Sequence, residues 1–244
     1  MSEQGHAKNL ENLTKGRGFA AGWGAKYAPS NPVLSLENID KLITDARAAM
    51  NDLQETRTPY RNATAAAEDA FAPLNRLITR VMKALKVSGA PDSVIADADT
   101  YARKIRGRSS SPAVKDDPLT PNVDESEKSH SASQMSRTQR VENLDALILM
   151  LDSNGFYNPN ETELKTATLR DVSTDLKAKK DTVQTAFVPF SNKLVVRDKF
   201  LYGKGTGVVD VGRFFKGYVE SFGRDSAEWN QIKDLEFKEY KRRR

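Results

Sequence analysis

Hydrophobic residues recur at alternating spacings of three and four between Leu36 and Leu85, with only two polar positions on the stripe. This spacing places the side chains on one face of a helix. The phase of the stripe continues through Pro59 and Pro73 without a skip. The pattern therefore predicts one long helix that is bent at its prolines. The alternative is a new helix that starts at Pro59, with Thr58 as its N-cap.

A weaker stripe with the same spacing runs from Leu169 to Leu201 and contains Pro189. It predicts a second long, bent helix, which the glycines of Gly203–Gly207 bring to an end. The segment GKGTG lacks the spacing of a phosphate-binding loop, so helix termination is the better interpretation. The two stripes predict these buried side chains: Ile39, Ile43, Leu53, Phe71, Ile78, Leu85, Leu169, Leu176, Phe187 and Leu194.

The two stripes belong to an apparent internal repeat. When the chain is shifted by about 130 residues, Tyr27-Ala28-Pro29 falls on Tyr157-Asn158-Pro159, and Pro59-Tyr60 falls on Pro189-Phe190. Further matches follow in the same order with small slips, and such self-similarity is the signature of repeated units. The sequence predicts an all-α fold: an internally duplicated helical bundle whose two long bent helices pack about a pseudo-twofold axis.

The predicted organisation has three parts. Residues 1–108 form a first helical repeat with a flexible N-terminal arm, and residues 136–244 form a second helical repeat. Residues 109–135 are rich in serine, proline and aspartate and poor in large apolar side chains. Such a composition cannot bury enough surface to order itself, so this part is predicted to be a polar linker.

Each repeat is predicted to end in a shorter helix, one near residues 92–105 and one that begins at Asp225 and continues toward the basic end of the chain. Basic side chains suit a helix C-terminus because of the helix dipole. They are also candidates for contact with an anionic partner such as nucleic acid. These candidates are Arg103, Lys104, Arg106, Arg108, Lys241, Arg242, Arg243 and Arg244.

The N-terminal arm combines aromatic residues with glycines. Phe19, Trp23 and Tyr27 recur every four residues in a segment that contains four glycines. Because glycine discourages a stable helix, we expect a flexible arm whose aromatic side chains contact another subunit. The alternative is an arm that folds back over the end of its own bundle.

Composition narrows the chemistry. The chain has 244 residues, no cysteine and a net charge of +5, so disulfides, thiolate catalysis and cysteine-ligated metals are excluded. The two histidines, His6 and His130, lie in no metal-ligand spacing, and we expect no metal and no cofactor. The longest apolar run, Leu144–Leu151, is far shorter than the roughly 20 residues of a membrane span, and no signal peptide is evident, so a cytoplasmic location is predicted.

The stretch SASQMSRTQRVENLDALI, together with the two Tyr-x-Pro starts, resembles a family of uncharacterised helical proteins of similar length from Bacteroidetes-type bacteria. The resemblance covers most of the chain. It implies helical duplication and a bacterial origin, and it brings no activity and no catalytic residues.

The long stripes, the aromatic arm and the lack of a catalytic constellation predict a structural or protein-interaction protein that self-associates and is not an enzyme. The alternative is a nucleic-acid-binding protein that uses the basic helix ends. A membrane-bending helical dimer is a third hypothesis.

Overall fold

A computed structural model describes residues 3–107 and 136–240, and every regular element within them is a helix. The all-α prediction is therefore confirmed for the described chain. The α-helices are α1 (Glu3–Gly22), α2 (Leu36–Phe71), α3 (Leu74–Val87), α4 (Asp92–Arg106), α5 (Arg137–Ser153), α6 (Thr166–Tyr202), α7 (Val208–Glu220) and α8 (Ala227–Ile232). Short 3₁₀ helices cover Gly24–Lys26, Pro32–Leu34 and Thr162–Leu164.

Pro59 and Pro189 lie inside helices α2 and α6, which are 36 and 37 residues long. The prediction of a continuous helix through each of these prolines is confirmed. Both prolines are exposed, so the pyrrolidine rings displace no core side chain. A bend at either proline stays a prediction.

At Pro73 the prediction of a continuous helix is wrong. Helix α2 ends at Phe71 and α3 begins at Leu74, with Pro73 in the link between them as the N-cap of α3. The backbone of Pro73 keeps right-handed helical angles, with φ −76° and ψ −12°. This near-helical link explains why the hydrophobic stripe passes the break in phase.

Matching loops lead into the two long helices. The hydroxyl of Tyr27 donates to the carbonyl of Leu34 at 2.7 Å, and that of Tyr157 donates to the carbonyl of Leu164 at 2.9 Å. Each loop then forms one 3₁₀ turn before the long helix starts. The predicted correspondence of the two tyrosines therefore holds in their local structure, while duplication of the chain and the pseudo-twofold axis stay predictions.

The chain folds into two compact units. Unit 1 comprises Met1–Tyr60 and Ala186–Arg244, and unit 2 comprises Arg61–Thr185. Each unit takes residues from both predicted repeats, so the compact units are not the repeats themselves. The predicted linker, 109–135, lies outside the described residues.

Unit 1 is built from α1, the first part of α2, the end of α6, α7 and α8. Its core centres on Leu13, Ile39, Leu201, Phe215 and Ile232, each with no exposed surface. The core is closed on one side by Leu235–Tyr240, which has no helical structure. We call this stretch the tail segment.

The prediction of a long final helix is wrong, because the tail segment is not helical. Helix α8 ends at Ile232, and its N-cap is Ser226, whose hydroxyl accepts from the amide of Trp229 at 3.1 Å, rather than the predicted Asp225. The tail segment then follows α1, where the side chain of Asn9 bonds to both the N–H and the C=O of Lys238, at 3.0 and 2.7 Å.

Side-chain burial explains why the tail segment is extended. Leu235 and Phe237 are both buried, two residues apart, and the side chain of Asn12 donates to the carbonyl of Glu236 between them at 2.8 Å. Because alternate residues of an extended chain point the same way, this geometry buries both apolar groups. In a helix, residues that are two apart point to different sides, so a helix would not bury both groups.

Unit 2 contains the rest of α2, α3, α4, α5 and the first part of α6. Ala98 and Ala102 of α4 are fully buried, and such small residues allow close helix packing. The guanidinium of Arg140 on α5 bonds to the carbonyl of Ile105 at 3.0 Å and to the side chain of Asn75 at 2.9 Å. It therefore ties α5 to the end of α4 and to α3.

The predicted buried residues are confirmed except at two positions on α6. Phe187 is 39% exposed and Leu194 is only partly buried. Neither belongs to the core of unit 1, which meets α6 near Phe200 and Leu201. The heptad stripe on α6 is thus longer than the core it faces.

The segment Gly203–Gly207 ends α6, as predicted. Gly205 has a φ of +74°, a conformation that favours glycine, and its amide donates to Asp210 at 2.9 Å. A β-carbon on Gly203 would come within 2.5 Å of the Lys199 carbonyl oxygen. The glycines therefore allow the tight turn from α6 into α7.

Candidate interaction surfaces

The glycine-rich N-terminal segment is helical, so the expectation that its glycines prevent a regular helix is wrong. Helix α1 continues to Gly22. Gly16 faces the ring of Phe215, and a β-carbon there would lie 2.8 Å from a ring carbon. This glycine allows close approach of an aromatic ring.

Trp23 and Tyr27 pack within unit 1. The ring of Trp23 stacks on Phe215 with centroids 6.2 Å apart, and its indole N–H donates to the side chain of Gln231 at 2.8 Å. Tyr27 is buried, and its ring lies 5.4 Å from that of Tyr218. Burial is the larger cause that raises the pKa of Tyr27 above its usual value, and the neighbouring Tyr218 adds to it.

Phe19 differs from these two aromatic residues because 36% of it is exposed. Of the three predicted subunit-contact residues, Phe19 alone therefore keeps a substantial free surface within unit 1. The prediction that it contacts another subunit stays open.

The basic residues of α4 have partners on the same helix. The guanidinium groups of Arg103 and Arg106 lie 3.4 and 3.3 Å from the carboxylate of Asp99, and the ammonium of Lys104 lies 6.0 Å from the ring centre of Tyr101. The remaining anionic-partner candidates lie outside the described residues; they are Arg108, Lys241, Arg242, Arg243 and Arg244.

His6 is buried within unit 1. It is 4% exposed, and its Nδ1 lies 2.5 Å from the hydroxyl of Tyr202 at the end of α6. Burial raises the pKa of Tyr202 to about 12. Across residues 3–107 and 136–240, no group of three acidic or histidine side chains is arranged to hold a metal ion. His130 lies outside the described residues.

One apolar surface was missed by the sequence pattern. It consists of Phe187, Val188, Val195 and Val196 on α6, which are 39%, 48%, 66% and 40% exposed. We call it the valine face. Val188 and Val195 are seven residues apart and therefore lie on the same side of the helix. The heptad pattern assigned Phe187 to the core, which concealed this surface.

Aromatic packing holds α6 in place beside the valine face. The ring of Tyr60 on α2 stacks on Phe190 with centroids 5.0 Å apart, and it lies 5.5 Å from Phe187. The ammonium of Lys193 pairs with Asp52 at 2.5 Å. These contacts fix α6 against α2 within unit 1, and the valines remain accessible.

A second surface is a groove of about 610 Å³ in unit 2, between the second half of α3 and the loop around Tyr157. We call it the Tyr157 groove. Val87 and Phe156 at the groove are 86% and 43% exposed. Burial is the larger cause that raises the pKa of Tyr157 to about 12, and the nearby Glu161 adds to it. The lining comprises Arg80, Lys83, Ala84, Val87, Ser88, Phe156, Tyr157, Asn158, Pro159, Asn160, Glu161 and Leu164.

The charges around the groove are partly paired. Arg80 forms an ion pair with Glu163 of the loop. Lys83 has no ion-pair partner in the part of the chain that the structure describes. The groove thus combines exposed apolar groups with one cation available to a ligand.

Comparison of the chain with protein-family models, with curated proteins and with solved structures found no significant match. The resemblance to a bacterial helical family therefore stays a prediction. Among the described helices, none is both long and apolar enough to cross a membrane.

Proposed function

We propose that this protein is a non-catalytic helical interaction protein that self-associates through the valine face of α6. One observation supports this function. Nine large hydrophobic side chains are exposed in the described residues, and four of them fall within the ten residues from Phe187 to Val196. Val188 and Val195 share one side of α6, with Phe187 and Val196 on its two flanks. A cluster of exposed apolar residues typically marks a protein contact, whereas single exposed apolar residues are ordinary.

The composition of the valine face favours a second copy of the chain as its partner. Between Val188 and Val196 the only charged residue is Lys193, which is already paired with Asp52. Depletion of charge is typical of the centre of a protein interface. In an antiparallel twofold pairing of two α6 helices, Val188 of each copy faces Val195 of the other, which gives a self-complementary contact.

The test is the oligomeric state of a double variant, Val188→Lys with Val195→Lys. Burial of a valine stabilises a contact by about 1.5–3 kcal/mol, so two buried lysines at the interface should abolish self-association. Sedimentation velocity over a range of concentrations measures the change. Leu149→Lys is the control, because Leu149 of α5 in unit 2 is 69% exposed and lies outside both the valine face and the Tyr157 groove.

Wild-type chain and the control should sediment as a dimer at concentrations where the double variant is a monomer. Circular dichroism checks that all three are equally helical. A wild-type chain that remains monomeric at every concentration would end the proposal.

Nucleic-acid binding at the basic helix ends remains the alternative. The intrahelical partners of Arg103 and Arg106 reduce the charge that these residues offer to phosphates. A mobility-shift assay at low salt decides, since phosphate contacts are strongest there. Binding at low salt that weakens as salt is added would favour this alternative.

We also propose that the chain is an internal duplication. Three features support it: the matching tyrosine loops, the two proline-containing helices of nearly equal length, and glycines of positive φ after α3 and α7, Gly89 and Gly223. On this hypothesis each compact unit combines the first part of one copy with the second part of the other. Refolding of separately produced residues 1–108 and 136–244 would test whether either copy folds alone.

A further inference from the structure

The loop around Tyr27 in unit 1 is covered by aromatic side chains of α7. The ring of Tyr218 lies 5.4 Å from Tyr27 and 5.1 Å from Phe222. The hydroxyl of Tyr218 accepts a hydrogen bond from the amide of Ala28 at 3.1 Å. In unit 1 a phenol ring thus sits on the Tyr-x-Pro loop and satisfies one of its backbone donors.

The corresponding positions in unit 2 carry small side chains. Gly89 after α3 and Gly223 after α7 both have positive φ, at +80° and +104°, and they align the two helices. Four residues before these glycines, Leu85 and Val219 are both fully buried, as this alignment requires of matching core positions. Five residues before the glycines, Tyr218 of α7 matches Ala84 of α3.

The same alignment pairs Phe222 of α7 with Ser88 of α3. Both Ala84 and Ser88 line the Tyr157 groove. The groove therefore occupies the place that two aromatic rings fill in unit 1. A volume of about 610 Å³ is ample for such rings.

The hydrogen-bond donor of the loop is also open in unit 2. Asn158 follows Tyr157 as Ala28 follows Tyr27. Within the described residues no acceptor bonds to the amide of Asn158, whereas Ala28 donates to the hydroxyl of Tyr218. A hydroxyl-bearing ring in the groove would supply this acceptor.

We propose that the Tyr157 groove binds a tyrosine side chain of a partner polypeptide, whose ring packs on Ala84 and whose hydroxyl accepts from the amide of Asn158. The exposed side chains of Val87 and Phe156 extend the apolar surface beyond the size of one ring. This extension favours a polypeptide over a free phenol. The groove lies in unit 2, so the proposal is independent of self-association through the valine face.

The experiment is a titration of the full chain, labelled with ¹⁵N, with N-acetyltyrosinamide, followed by the amide resonance of Asn158. A probe of this size is expected to bind with a dissociation constant on the order of 1 mM. N-acetylphenylalaninamide lacks the hydroxyl and should bind about 2- to 12-fold more weakly, because one hydrogen bond is lost. Equal binding of the two probes would refute the contact with Asn158.

The decisive variant fills the groove with the residues of unit 1, Ala84→Tyr combined with Ser88→Phe. It should abolish binding of N-acetyltyrosinamide without loss of helicity. The matched control, Lys86→Tyr, adds the same ring to α3 outside the lining and should leave binding unchanged. Ala84→Leu is a smaller filling substitution, which keeps the test valid if the double variant does not fold.

Binding that survives both filling variants, or no saturable shift in the wild-type chain, would overturn the proposal. A shift of groove resonances with protein concentration alone would instead assign the groove to a second copy of this chain. A tighter complex with a tyrosine-containing peptide than with p-cresol is expected from the exposed Val87 and Phe156. Equal affinity for the two would contradict a polypeptide partner.

Discussion

Units 1 and 2 fill similar helical cores with side chains of different size. In unit 1 the rings of Phe215 and Phe237 lie over Gly16 and Gly212. In unit 2, Leu147 lies three residues after the fully buried Leu144, as Gly16 lies three after the buried Leu13. Phe215 lies eight residues before Gly223, and the residue eight before Gly89 is Val81, which is fully buried. We infer that Phe215 against Gly16 in unit 1 takes the place of Val81 and Leu147 in unit 2. Close packing fixes the summed volume more strongly than it fixes which helix supplies it.

The units also differ in how the core is closed. Unit 2 uses the complete helix α4, with Ala98, Ala102 and Ile105 fully buried. Unit 1 uses the six-residue α8 and the tail segment, which depends on side-chain hydrogen bonds from Asn9 and from Asn12. The backbone of α4 satisfies its own hydrogen bonds, while the backbone of the tail segment depends on neighbouring helices.

The largest expected effect is on Phe215, which is the biggest fully buried side chain among residues 3–107 and 136–240. Phe215→Ala should lower the free energy of unfolding by about 3–5 kcal/mol, because Gly16 offers no side chain to fill the cavity. Urea unfolding followed by circular dichroism measures it. Phe187→Ala, at a ring that is 39% exposed, should cost about 1 kcal/mol. Equal losses would mean that the ring-over-glycine packing does not carry the core of unit 1.

The next largest effect is expected at two glycines of α7 in unit 1, Gly212 and Gly217. A β-carbon on Gly212 would lie 2.3 Å from the ring of Phe237, so Gly212→Ala should cost about 1–3 kcal/mol. Gly217 lies on the same helix with no atom within 4 Å of the added carbon. Gly217→Ala should therefore stabilise the protein by about 0.5–1 kcal/mol, because alanine favours helix. Thermal unfolding of the two variants gives shifts of opposite sign.

The smallest effect compares the two loop tyrosines. Burial raises the pKa of Tyr157 to about 12, so the neutral phenol favours the folded state. That stabilisation is complete below the unfolded pKa of about 10 and is lost as the pH rises toward 12. Tyr157→Phe should cost about 1 kcal/mol at neutral pH, since the carbonyl of Leu164 loses its donor, and should weaken the alkaline loss.

The matched variant is Tyr27→Phe in unit 1. Burial and Tyr218 together raise the pKa of Tyr27 further than burial and Glu161 raise that of Tyr157, so this variant should weaken the alkaline loss more than Tyr157→Phe does. Urea unfolding at a series of pH values between about 9 and 12 distinguishes the two. Identical pH profiles for wild type and both variants would show that other groups cause the alkaline instability.

Local sequence signals predicted the long helices and the correspondence of Tyr27 with Tyr157. The apolar periodicity around Pro59 and Pro189 is dense enough to define a helix, and the Tyr-x-Pro spacing is the same in both places. These features depend on neighbours within a few turns, which is the range over which sequence patterns carry structural information.

Distant contacts produced the errors. Gly16 looks like a flexible residue in sequence, and its actual partner, Phe215, lies far along the chain. The tail segment has a helix-like composition. The side-chain amide of Asn9 nevertheless holds the backbone of the tail segment in an extended conformation through its two hydrogen bonds to Lys238. The stripe on α6 left out Val188, Val195 and Val196, and it carried no information about where along the helix the core ends.

The division into units sets an order for folding during synthesis. All residues of unit 2, Arg61–Thr185, are made before Ala186, whereas unit 1 needs both Met1–Tyr60 and the residues from Ala186 onward. At about 5–20 residues per second, a ribosome takes several seconds to add the described part of that second piece. For this interval Leu10 and Leu13 of α1 have no α7 or tail segment to cover them. The nascent chain therefore exposes this half of the unit 1 core to molecular chaperones until the tail segment has been made, and the time needed to translate residues 61–240 determines for how long.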